Sequence, residues 1–220
     1  MLIQVKRNVA VELCVLSALT LAFLFVFPER PIFIDVGLAL FALILLVLNV
    51  RYTRSVIWGR FPSALDRRSR IRKTVLFVGP ATGVVVTGLF ATGLALGYLE
   101  GGWDTAVQRL GNWRLLVALA LYFPWALLQQ TLFQFYLLGR LRTVFPAGVA
   151  VTCTGITYAL VHLPDVGVTV AAAFAGVFWT YVYYRYRVLS PLAFSHALLG
   201  STFSYWVYGR DLAEAWAAGL

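Results

Sequence analysis

Two histidines and three glutamines are the residues of this chain whose types and spacing could do chemistry. His162 stands in YALVHLPD and His196 in LAFSHALLG, both apolar stretches, and the chain has 2 histidines in all. An imidazole changes charge near neutral pH, so it can take or give a proton where other side chains cannot. Gln129, Gln130 and Gln134 stand in WALLQQTLFQFYLLGRL. A carboxamide does not take up a proton at a useful pH, but it offers an acceptor oxygen and two donors. Gln130 and Gln134, four residues apart, share one helix face, and Gln129 shares the adjacent face with Phe133. Glutamines so close together in an apolar helix must bond a neighbouring helix or water in a cavity, because lipid offers no partner. Two arrangements meet that need. One is polar packing between helices, worth about 0.6 kcal/mol per bond. The other is a pocket lined by carboxamides and imidazoles. Ser195 and His196 do not form a catalytic dyad, because sequence neighbours on a helix do not face each other.

The elements that must position these residues are membrane helices. The 220 residues are 61% hydrophobic and 12% charged, with mean hydropathy +0.82. A soluble domain has roughly half its residues apolar and about a quarter charged. The composition excludes a disordered chain, an ordinary nucleic-acid-binding domain and a disulfide scaffold. Apolar segments of spanning length, roughly 20 residues, run over 9–27, 32–50, 74–99, 115–138, 147–163, 166–184 and 189–208. The expectation is an all-α polytopic membrane protein with about seven transmembrane helices. A signal peptide fits poorly, since FVFPERP after the first segment has no small-residue cleavage site. With seven spans, 14 of the 18 basic residues fall on one side, including Arg51 to Lys73, Arg140, Arg142, Arg185 and Arg187. Basic loops stay inside, so the N-terminus is expected in the cytoplasm. The 51–73 loop reads as that topology signal or as a patch for anionic lipid.

The remaining polar and small residues have plainer readings. Cys14 and Cys153 lie in apolar segments and read as reduced core thiols. No intramembrane lysine exists to hold a retinal; Lys6 and Lys73 flank spans. Glu12 and Asp35 are expected to snorkel to an interface. Ser195, Ser201, Thr202 and Ser204 are expected to bond their own helix backbone. The small residues Gly79, Gly83, Thr87, Ala91, Gly93 and Gly97 permit close helix packing. Two histidines without a carboxylate make a weak zinc site, since catalytic zinc takes three protein ligands. No cofactor is expected, the metal state being left open, and no nucleic acid.

The order of these motifs resembles the CAAX-protease and bacteriocin-processing (CPBP, or Abi) family of intramembrane proteases. That family carries E-E-x-x-x-R on one span, F-x-x-x-H on the next and H-x-x-x-N on a later one. Here QQTLFQ is followed by YALVH, Tyr158 to His162, and by HALLG, His196 to Gly200. FQFYLLGRL is similar to the family's FRGxLLxRL, and HLPD to its HLPN. The likeness covers roughly 115–205. It divides the chain into variable N-terminal helices over 1–110 with the basic loop 51–73, a CPBP-like core over 111–208 and an exposed tail over 209–220.

The resemblance implies peptide-bond hydrolysis, with His162 as the partner that activates water and His196 as the oxyanion stabiliser. Gln129 and Gln130 stand at the family's two glutamates, Gln134 at its arginine, Tyr158 at its phenylalanine and Gly200 at its asparagine. Gln129, Gln130, His162 and His196 are thus the implied catalytic set, and Gln134, Tyr158 and Gly200 line the substrate pocket. A carboxylate base is worth about 10²–10⁴-fold, and glutamine cannot supply it. Three readings stay open: a divergent protease using His162, an inactive relative binding a membrane peptide or lipid, or an assembly subunit holding a protein or pigment. The setting implied is multi-pass in a bacterial inner membrane, with lipids and a membrane peptide or protein as partners. Counted along straight helices, His196 lies about 10 Å from the cytoplasmic side and His162 near the outer end of its span. HLPD is therefore expected to form a buried turn.

Overall fold

A computed structural model describes residues 64–211, with residues 9–14 and positions 37, 44, 47, 48, 53 and 58. All regular structure among these residues is helical. α1 covers Ala64–Leu110. α2, Arg114–Gln130, runs unbroken into a π-helical stretch, π1, Thr131–Leu137, and leaves it as α3, Leu138–Val144. α4 covers Ala147–Leu160 and α5 covers Val166–Tyr186. α6, Ser190–Thr202, passes into a second π-helical stretch, π2, Phe203–Val207. Asp66–Leu110, Arg114–Val144 and Val166–Tyr186 are long and apolar enough to cross a membrane, and Ala147–Leu160 is a shorter apolar helix. Most of the two N-terminal apolar segments, with Lys6, Arg7 and Asp35, lies outside the described residues, as does the tail after Asp211.

Local chemistry sets the helix ends. Asp165 caps α5, its Oδ1 accepting the Val168 N–H at 3.0 Å. α5 stops at Arg187, which takes the left-handed conformation with φ 55°. α4 follows Pro146, and α6 has a proline in its first turn, where a missing N–H costs nothing. α1 breaks at Gly101 and Gly102. Gly102 has φ 76° and ψ −164°, a conformation open only to glycine. The chain doubles back there, so that a Cβ on Gly97 would stand 2.7 Å from Ala106 Cα. The apolar segment expected to end at Leu99 is thus followed by a short returning helix.

By internal contacts the chain divides into two units, Met1–Arg67 with Gln130–Arg187, and Arg68–Gln129 with Val188–Leu220. In the first, α4 and α5 cross at glycines. A Cβ on Gly155 would meet Val177 N at 2.5 Å, and one on Gly176 would meet Gly155 O at 2.9 Å. Between membrane helices, where burial adds little, such close backbone approach supplies the packing. The Trp58 indole donates to Phe135 O at 2.7 Å, engaging a carbonyl of π1, and packs edge-on to Tyr183. In the second unit, Gly93 of α1 lies against Trp206 of π2, and Thr82 bonds Ser195 at 2.7 Å.

Several sequence expectations need correction. Arg140 is not a loop charge. The α2–π1–α3 run continues to Val144, and Arg140 is fully buried within it. Its Nε donates to Glu12 Oε1 at 3.3 Å, and the Tyr136 hydroxyl also donates to Glu12. Glu12 is therefore an ion-pair partner, as a buried charge requires. Cys14 and Cys153 are free thiols on exposed faces, outside the core. Ser195 also bonds across to Thr82 of α1. Of the small residues in α1, Gly93 and Gly97 make close contacts, whereas a Cβ on Gly79 or Gly83 would meet nothing among the described residues.

Candidate active site

The first unit contains Gln130, Gln134, Tyr158 and His162. Gln130 and Gln134 are both fully buried, as their shared helix face predicts. Gln134 Nε2 donates to Thr180 Oγ1 at 3.3 Å. Among the described residues, neither amide atom of Gln130 nor Oε1 of Gln134 has a hydrogen-bond partner. Tyr158 is buried in a ring cluster, with centroids 5.2 Å from Phe133, 5.8 Å from Trp179 and 5.1 Å from His162. His162 lies in the turn after α4, half-buried, and Pro164 beside it is exposed. The HLPD turn therefore exists but is partly open. His162 Nδ1 is 3.0 Å from Tyr158 O. A carbonyl only accepts, so Nδ1 carries a proton, and in the neutral ring Nε2 keeps its lone pair. That is the tautomer a general base uses.

The second unit contains Gln129, His196 and Gly200. Gln129 is half-buried, with a buried Oε1 lacking a partner among the described residues. His196 is buried, and its Nε2 lies 3.3 Å from the Tyr122 hydroxyl. Gly200, one turn later, lies against the same tyrosine: a Cβ there would stand 2.6 Å from Tyr122 Cε1. Both π-helical stretches directly follow site positions, π1 after Gln129 and Gln130 and π2 after the helix of His196 and Gly200. Single-turn π-helices inside α-helices frequently occur at functional sites.

Residues 111–202 match the family model described as Rce1-like, type II CAAX prenyl endopeptidase Rce1-like. This segment is Rce1-like. The match takes in less than half of the chain, and all seven site positions fall inside it. No curated protein and no solved structure matches the chain. With its apolar helices the chain is an integral membrane protein, and its 111–202 segment is similar to the CAAX prenyl endopeptidases.

Two residues of the Rce1-like segment escaped the sequence reading. Tyr122 contacts His196, and Thr180 accepts from Gln134. A single hydroxyl in an apolar helix gives no sign of which helix it faces. Tyr122 carried one cue, the glycine at position 200, where a large neighbour could approach. Among the described residues, no group of three or more His, Cys, Asp or Glu side chains is placed to hold a metal ion.

Proposed function

We propose that this protein is a multi-pass CAAX-protease-like membrane protein that binds a membrane peptide through its buried carboxamides and hydrolyses it slowly, with His162 as the base. Gln130 carries the reading. Among the described residues neither amide atom of Gln130 is paired, and an unmet buried group costs about 1–3 kcal/mol, so a ligand or water that pairs with it is favoured. A carboxamide presents one acceptor and a donor pair, which matches the N–H and C=O of a peptide group. His162 supplies a basic Nε2 to activate water. By resemblance to the family, His196 takes the part of oxyanion stabiliser and Gln129 and Gln130 stand at its paired glutamates; within the first unit, Gln130 orients the peptide and Tyr158 walls its surroundings.

The test is cleavage of a prenylated CAAX peptide by the purified protein in bilayer discs. Slow cleavage lost in His162→Ala and raised about 10²–10⁴-fold in Gln129→Glu or Gln130→Glu supports the reading. A second reading follows from the same glutamines, which cannot act as a base: the protein is an inactive binding or assembly subunit. Peptide binding without cleavage, in wild type and in both glutamate variants, selects that reading. No binding and no cleavage refute both.

A further inference from the structure

α6 is gripped at adjacent residues within its unit. Thr82 of α1 bonds Ser195 at 2.7 Å, and Tyr122 of α2 reaches His196. The Tyr122 hydroxyl lies 3.3 Å from His196 Nε2, and the two rings meet edge to face with centroids 5.5 Å apart. The edge of the tyrosine ring occupies the space over Gly200, where a Cβ would stand 2.6 Å from Cε1. Cε1 belongs to a ring that cannot bend away, so any side chain at position 200 displaces Tyr122. The hydroxyl contact and the ring-edge contact are made by one ring, so a side chain at position 200 disturbs both.

We propose that Tyr122 is the positioning residue of His196. Its hydroxyl proton is donated to Nε2, which holds the imidazole in one orientation and in the Nδ1–H tautomer, and Gly200 is the position that admits the ring. The direction follows from acidity: a phenol is a ready proton donor, and an imidazole nitrogen is a far stronger acceptor than a phenol oxygen. The tautomer itself does not depend on catalysis.

The experiment uses the full chain in bilayer discs with ¹⁵N-labelled histidine. Only two imidazoles report, and a His162→Gln variant assigns them. The expected result is a His196 Nε2 signal of the unprotonated type at neutral pH. In Tyr122→Phe, which keeps the ring, the His196 pattern shifts toward mixed tautomers while the His162 signals stay in place. Gly200→Ala moves the same His196 signals. A protonated His196 Nε2 in the wild type overturns the proposal. So does a Tyr122→Phe variant that leaves His196 unmoved, or one that moves both histidines equally and so reports general loosening. If Gly200→Ala fails to fold, the isosteric Tyr122→Phe comparison alone decides. The measurement reads the imidazole and not cleavage, so the peptidase reading can fail without touching it.

Discussion

The two histidines sit in different units and are held by different kinds of partner. His162 bonds a carbonyl four residues back in its own helix end and packs on Tyr158 from the same turn. His196 is held by a hydroxyl that arrives from another helix, 74 residues earlier in the chain. The first imidazole is set by local backbone and is half-open to its surroundings. The second is buried and is set by tertiary packing. A proton acceptor needs access to water, whereas a fixed donor benefits from burial, where its hydrogen bonds are stronger. The two environments suit the two roles assigned to them.

Substitutions that separate the two environments sharpen this contrast. The largest effect is expected for His162→Ala, a drop in any peptide cleavage of about 10²–10⁴-fold, measured as initial rate. His196→Ala should cost less, about 10²–10³-fold, the size of losing one oxyanion donor. Equal losses would break the division of roles. Next comes Gly155→Val, which forces a side chain into the backbone of Val177 and should lower stability by about 1–3 kcal/mol in thermal unfolding. Because Gly155 lies beside Tyr158 of the first unit, it should disturb the His162 imidazole signals more than those of His196. The smallest effect belongs to Thr82→Val. Losing the bond to Ser195 should cost about 0.6 kcal/mol and move only the His196 signals. A matching shift at His162 would show that the two environments are not independent.

Much of the helical layout is legible in the sequence because apolar runs and their breakers act locally. The apolar runs over 74–99, 115–138, 147–163, 166–184 and 189–208 read as helices, and helices stand there. The returning helix after Gly102 was not legible, since its segment is too polar to read as a span. Arg140 was misjudged for the opposite reason. A charge two residues beyond an apolar run looks like a loop residue, until a partner such as Glu12 lets it be buried. At the site, the i, i+4 spacing of Gln130 and Gln134 puts them on one face, and both are buried.

The sequence by itself therefore determined the all-helical character and the shared face of Gln130 and Gln134, both of which depend on neighbours within about one turn. Tertiary structure alone decided that Glu12 pairs with Arg140, that Thr180 receives Gln134 and that Tyr122 reaches His196 over Gly200. Those contacts depend on which helix faces which. In a membrane, hydrophobicity tells a segment to be a helix but says little about its neighbour, because lipid and apolar side chains are equivalent surroundings. Close packing at glycines and a few buried polar pairs make that choice.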